Sequence, residues 1–262
     1  MQTQDTPTKA ATDSLISIQD LDAYRILVIN GKGGAGKTTV STNLAAWLAY
    51  RDQTTALLDA DPQGSSSFWV TQRAPNLPPV YGLKADSHSR TTLSFQLRAP
   101  KSTQWLITDA PGGISGQALN DMVLDHHLII IPAMPSDIDI RTTAHFIGEL
   151  LLTPNMRRQR RPMAVIANRI KPQTNSWERL QKFLLSLNIP YPATLRDNQN
   201  YVRAYREGQG VVDYQQQAYL RDRADWEILI QWIDAQYAAH LQAKAERAQS
   251  EVVEKNLQVA RT

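Results

Sequence analysis

The chain has 262 residues, 42% of them hydrophobic and 20% charged, with a net charge of +3. That apolar share fills a sizeable core, and with no long low-complexity tract a disordered or fibrous protein is excluded. The absence of cysteine excludes disulfide scaffolds, thiolate zinc sites, iron–sulfur clusters and cysteine nucleophiles.

The first residues (MQTQDTPTKAATDS) carry neither an apolar segment nor a basic start, so the expected compartment is the cytoplasm. Residues 1–23 read as a polar extension whose amphipathic patch (Leu15, Ile16, Ile18, Leu21) docks a short helix. From Arg25 onward, apolar runs at 26–30, 55–59, 105–109, 128–132 and 163–168, with a weaker one at 191–195, alternate with helical periodicities at 36–50, 116–125, 139–152 and 176–187. Short β-branched and aliphatic runs spaced by helix-length segments predict an α/β fold, a mostly parallel twisted sheet with helices on both faces. Residues 73–90, rich in Pro and polar residues, read as an excursion off the sheet. Trp226, Leu229, Ile230, Ile233 and Tyr237 recur at helical spacing, a core-facing stripe. Beyond Leu241 the apolar positions thin out, and the tail reads as an exposed helix or a frayed end. The expected division is thus an extension (1–23), a domain (24–240) and a helical tail (241–262). None of the five histidines (His88, His126, His127, His145, His240) has metal-ligand spacing with acidic partners, and none is assigned chemistry.

The sharpest motif is Gly31-Lys32-Gly33-Gly34-Ala35-Gly36-Lys37-Thr38-Thr39, which satisfies G-x-x-x-x-G-K-[ST] between a predicted strand and a predicted helix. This is the signature of a P-loop NTPase. Its glycines let backbone N–H groups wrap phosphate oxygens, and the helix start adds a positive dipole. The expected nucleotide contacts are Gly33, Gly34, Ala35, Gly36, Lys37, Thr38 and Thr39, with Lys37 on the β- and γ-phosphates and the Thr38 hydroxyl on Mg²⁺. Asp59 and Asp61 follow the next strand at i, i+2 and point to one side, as a Mg²⁺–phosphate site requires. The apolar run 105–109 ends in Asp109, a Walker B carboxylate that holds Mg²⁺ through water.

KGGAGKTT resembles the deviant Walker A motif of the ParA/MinD ATPases, in which a second lysine, here Lys32, sits near the start of the loop. The resemblance implies that Lys32 crosses an ATP-sandwiched homodimer to the partner's phosphates, a finger in trans during phosphoryl transfer. Asp59-Ala60-Asp61-Pro62-Gln63-Gly64 looks like the switch motif of the ParA branch; by that match Asp61 sits near the γ-phosphate and metal and positions the attacking water, and Asp59 supports the metal. Asp109-Ala110-Pro111-Gly112-Gly113 resembles the family's second switch, and residues 131–139 (IPAMPSDID) resemble a Pro-rich segment that small ParF-type relatives keep near the nucleotide and the dimer interface. Asn168 falls where relatives place an adenine-reading amide; a turn-forming Asn after a strand is the other reading of that position. No N-K-x-D guanine motif is present, which favours ATP.

Charge separates the branches. Residues 157–223 hold 13 Lys and Arg against 5 Asp and Glu, whereas residues 1–156 hold 11 against 14. In ParA relatives, dimerisation aligns such basic surfaces into a non-specific DNA-binding face. Arg196, Arg203, Arg206, Arg221 and Arg223 fall where relatives carry these residues, and Arg203 and Arg206 share one helical face suited to phosphates. The cluster Arg157, Arg158, Arg160 and Arg161 is a second candidate contact or a solvated surface. The resemblance therefore implies a cytoplasmic, nucleoid-associated ATPase with weak intrinsic activity, stimulated by a ParB-like or cargo-adaptor protein. Its cargo would be a plasmid, a chromosomal region or a protein assembly. The alternative is a MinD-like membrane-associated ATPase. The tail lacks the bulky apolar face of a membrane helix, so no stable membrane binding is expected. A metabolic P-loop enzyme is the third reading.

Overall fold

The computed structural model describes residues 13–85 and 97–259. In chain order the strands are β1 (Leu15–Ser17), β2 (Tyr24–Val28), β3 (Thr55–Asp59), β4 (Val80–Lys84), β5 (Arg98–Pro100), β6 (Trp105–Asp109), β7 (Leu128–Ala133), β8 (Met163–Ile170) and β9 (Ala193–Arg196). The helices are α1 (Lys37–Tyr50), α2 (Ser65–Gln72), α3 (Gly116–Leu124), α4 (Asp137–Leu152), α5 (Pro154–Arg158), α6 (Asn175–Ser186), α7 (Gln199–Arg206) and α8 (Leu220–Val259). Seven strands form one parallel sheet in the order β4-β3-β6-β2-β7-β8-β9.

Both faces of the sheet are covered, so its strands are mostly apolar. Along β2 the side chains alternate with period two. Tyr24, Ile26 and Val28 join a core with α1, α7 and α8. Leu27 and Ile29 join a second core with α3, α4 and α6. Helix α1 lies inside this packing: Val40, Leu44, Ala45, Ala46 and Leu48 are fully buried, and a Cβ at Gly210 would come within 2.5 Å of the Ala46 methyl. The stripe at Trp226, Leu229, Ile230 and Ile233 is buried under α8.

The structure departs from the sequence reading at two places. The amphipathic patch at 15–21 forms no α-helix; it is a strand, β1, paired antiparallel with β5, followed by a 3₁₀ turn, Ile18–Asp20. Ile18 and Leu21 are buried against Leu83, Ala99 and Leu106, which makes these residues part of the packed fold. Second, the Pro-rich stretch 73–90 holds β4, an edge strand parallel to β3. Val80 and Leu83 bury one side chain on each of its faces, in different cores, while Pro78 and Pro79 precede it, where their missing N–H groups break no ladder. At the tail the structure takes the first of the two readings: α8 continues unbroken to Val259, a helix along its described length. Residues 1–12 of the expected extension, 86–90 of the expected excursion with His88, and 260–262 of the tail lie outside the described residues. Among the described residues no helix is long and apolar enough to cross a membrane.

Candidate nucleotide site

Register places the site. Val28 and Asp59 both pair with Asp109, so the carboxyl ends of β2, β3 and β6 lie side by side and their loops open on one edge. The loop after β2 is pinned at its start by buried Asn30. Its amide donates to the Pro132 carbonyl (2.8 Å) and the Thr143 hydroxyl (3.1 Å), and its Oδ1 accepts from the Lys32 N–H (3.0 Å). Gly34 (φ 77°) and Gly36 (φ 95°) take left-handed backbone, which side chains resist. At Gly36 there is also no room, since a Cβ would lie 2.0 Å from Asn168 Nδ2, whereas Gly33 and Gly34 face open space, free for a ligand to approach.

Asn168, at the end of β8, is 4% exposed. Its Nδ2 donates to the Ala35 carbonyl (2.9 Å) and its Oδ1 accepts from the Arg169 N–H (3.0 Å). The first of these bonds fastens the loop to β8, two strands from β2 in the sheet, a task that neither sequence reading of this residue contained.

Asp109 is the hub of the edge. It is fully buried, and its carboxylate accepts from Thr38 Oγ1 (2.8 Å), Ser41 Oγ (3.2 Å) and Ser66 Oγ. Burial pushes its pKa up to about 6 against the lowering effect of the Ser66 and Thr38 hydroxyls. The sequence reading missed Ser41 and Ser66. Ser41 sits one helical turn beyond Lys37, and Ser66 opens α2 after the switch motif, a spacing that could have pointed to it. A hydroxyl and a carboxylate 2.8 Å apart are hard oxygen donors suited to Mg²⁺. Among the described residues no group of three or more His, Cys, Asp or Glu side chains could hold a metal.

Lys37 and Asp61 flank Gly112. The Lys37 ammonium lies 3.8 Å from where a Gly112 Cβ would be, and Asp61 accepts from the Gly112 N–H at 3.4 Å. Lys37 is buried and hydrogen-bonds only the Lys32 carbonyl among the described residues (3.2 Å). Desolvation lowers its pKa, and the nearby Asp109 and Asp61 oppose that shift. Asp59 is committed to the scaffold: it accepts from the N–H groups of Asp61 (3.2 Å) and Ser67 (2.7 Å), tying the switch loop to the start of α2.

Lys32 folds back on its own chain. Its ammonium pairs with Asp139, a buried carboxylate in the first turn of α4 that also accepts from Ser136. The segment 131–139 is thus joined to the phosphate loop by an ion pair. The basic residues fare differently. Arg203, Arg206 and Arg221 are exposed, with Arg203 paired to Glu207 at 2.9 Å. Arg223 is half-buried and donates to Gln215 (3.1 Å). Arg196 does not belong with the exposed set: it donates to fully buried Asp222 (2.7 Å) and to Asp225 (3.2 Å), because a buried carboxylate requires a cation there.

Residues 26–211 match the model of the CobQ/CobB/MinD/ParA nucleotide-binding domain. This chain belongs to that family. The CobQ/CobB/MinD/ParA match runs from β2 through the turn after α7 and includes every motif of the site. The protein is 28% identical over 190 residues to maintenance of carboxysome distribution protein A of Halothiobacillus neapolitanus, covering 72% of this chain and 87% of that one. In fold it is similar to McdA of Cyanothece, with a TM-score of 0.63 at 14% identity over 80% of this chain and 98% of that one. It is likewise similar to MinD of Pyrococcus horikoshii complexed with Mg-ADP, with a TM-score of 0.60 at 17% identity over 81% and 96%.

Proposed function

We propose that this protein is a ParA-type ATPase that dimerises on binding ATP, binds DNA without sequence preference, and positions or segregates a cargo. The observation that carries this reading is the meeting of Lys37, Thr38, Asp61 and Asp109 at one sheet edge, with Lys32 in the same loop. The open faces of Gly33 and Gly34, with Ala35, Gly36 and Thr39, cradle the phosphates, and Lys37 neutralises their charge. Bound Mg²⁺ would be held by Thr38 and Asp109, with Asp61 beside it, and supplies charge stabilisation at the transferred phosphoryl group. Asp61 orients the attacking water and accepts its proton. Lys32 acts across the dimer, which requires its ion pair with Asp139 to open.

Arg203, Arg206 and Arg221, with Arg223 at their margin, form the DNA-facing surface, while Arg196 holds that part of the fold together. A ParB-like or adaptor protein stimulates the slow hydrolysis, and the dimer resides on the nucleoid. The name of the Halothiobacillus relative supports a positioning role. The cargo is a protein assembly, a plasmid or a chromosomal region.

The test is a gel shift on plain duplex DNA with ATP, ADP or no nucleotide at two salt concentrations. A salt-sensitive shift confined to ATP is expected. No shift with any nucleotide, together with ATP-dependent sedimentation on lipid vesicles, would overturn this reading in favour of a MinD-like one.

A further inference from the structure

At the amino ends of the strands, opposite the phosphate loop, residues 236–248 of α8, the start of β2 and the turn before β8 line a cleft of about 860 Å³. Its floor is aromatic. Tyr24 stacks on His127 with ring centroids 5.2 Å apart, and His127 lies 4.5 Å from the His240 ring. Cations reach it from three directions: Arg25 from β2, Arg160 and Arg161 from the turn before β8, and Lys244 and Arg247 from α8. The acids on its wall are Asp22 and Asp125, and Asp22 is taken by Lys244.

Arg25 and Arg161 distinguish this cleft from an ordinary basic surface. Both are partly buried, and both are held by main-chain carbonyls instead of carboxylates. Arg161 donates to the carbonyls of His126 (2.5 Å), Leu124 (2.9 Å), Gln159 (3.0 Å) and Asn155 (3.2 Å), so its orientation is fixed and its charge, more than its free N–H groups, faces the cleft. Among the described residues Arg25 donates through Nη2 alone, most closely to the Ile18 carbonyl (2.6 Å), so that none of them occupies Nε or Nη1. Among the described residues neither guanidinium has an ion-pair partner. Carbonyls fix a guanidinium's direction but do not cancel its charge, and an unneutralised cation withdrawn from water is costly. Desolvation lowers the pKa of both arginines, and the charge of Asp125 opposes that shift in part at each. Burial, with the charges of His240, Arg25, Arg161 and Lys244, brings His127 down to about 4. With five cations against two carboxylates in its lining, the cleft is preorganised and carries an excess of positive charge.

We propose that this cleft is a second phosphate-binding site, independent of the nucleotide loop, in which Arg25 and Arg161 at the floor and Arg160 and Arg247 at the rim take a phosphate or diphosphate group. The same chemistry is offered by free diphosphate and by a nucleic-acid backbone. Arginine forks suit either.

The test reads His127 and His240 by NMR of the full-length, histidine-labelled protein, titrated with pyrophosphate and, separately, with a short DNA duplex. Pyrophosphate also meets the phosphate loop, but these two histidines report only the opposite edge. An added anion should raise the apparent pKa of His127 by a unit or more. The response should persist in Lys37→Ala and weaken at least tenfold in the Arg160→Ala/Arg247→Ala double variant, whose exposed positions leave folding intact. A response to duplex assigns the site to nucleic-acid backbone, and a response to pyrophosphate alone assigns it to free phosphates. The proposal is overturned if neither probe moves the histidines, if the double variant responds like the parent, or if Lys37→Ala abolishes the effect. None of these outcomes bears on nucleotide binding at the loop, so the two readings fail separately.

Discussion

The two ends of the sheet hold their charges in opposite ways. At the carboxyl ends, a buried carboxylate, Asp109, is surrounded by the hydroxyls of Thr38, Ser41 and Ser66, with Lys37 nearby. At the amino ends, Arg25 and Arg161 are surrounded by main-chain carbonyls, with Asp125 as the nearest compensating charge. Among the described residues neither Asp109 nor the two arginines closes an ion pair, although a group of opposite charge lies near each. The contrast shows that a fold can tolerate incompletely neutralised charge where hydrogen bonds orient it and a ligand can complete it. A third buried charge, Arg73, gives the reference case. It is closed by fully buried Asp213 at 2.9 Å, and its partners bolt α2 to the turn after α7.

Substitutions can break this comparison, beginning with the largest effect. Lys37→Ala should weaken ATP binding by more than ~100-fold, or uncouple it from DNA, because it removes the loop's charge-assisted contact. Isothermal titration and the ATP-dependent gel shift check this. Asp61→Ala should cut hydrolysis by ~10²-fold or more while the ATP form stays on DNA, the mark of a residue needed for proton transfer and water positioning and not for binding. Single-turnover hydrolysis beside DNA retention separates the two. Asp213→Ala should cost about 3–5 kcal/mol in urea unfolding, since it strands Arg73, whereas Arg160→Ala should stay within about 0.5 kcal/mol.

Proton linkage sharpens the contrast further. Asp109 titrates near pH 6 in the folded protein, above its ordinary 3.8, so it makes the nucleotide-free fold less stable as pH rises from about 4 to 6. Buried His126 is brought down to about 4 from 6.5, chiefly by desolvation, so its contribution is full above pH 6.5 and is lost as pH falls toward 4. The two oppose each other. Asp109→Asn should therefore stabilise the nucleotide-free protein at pH 7 by about 1–3 kcal/mol and steepen its loss of stability in acid. His126→Gln should flatten that loss. Unfolding midpoints between pH 5 and 7 give both slopes, and equal slopes in the two variants would contradict the assignment.

Much of the nucleotide end was legible in the sequence because each part is a contiguous motif at the end of an apolar run. Residues 31–39, 59–64 and 109–113 each supply a turn that local chemistry dictates, and the strand-helix alternation around them fixes their side of the sheet. The edge strand β4 was hidden by its prolines, and β1 by its three-residue length. The retention of Lys32 by Asp139 and of Asn168 by Ala35 joins residues more than a hundred positions apart, which no spacing rule records. Arg196 looked like its exposed neighbours until α8 placed Asp222 and Asp225 against it.

The sequence by itself determined the family, the parallel sheet and the residues at the carboxyl ends of its strands, because glycine conformation, strand ends and helix starts are local properties. Tertiary structure alone decided which charges are neutralised and which are left waiting. Neutralisation depends on what approaches within a few ångströms after burial, and at the amino ends β2, the turn before β8 and α8 come from remote parts of the chain.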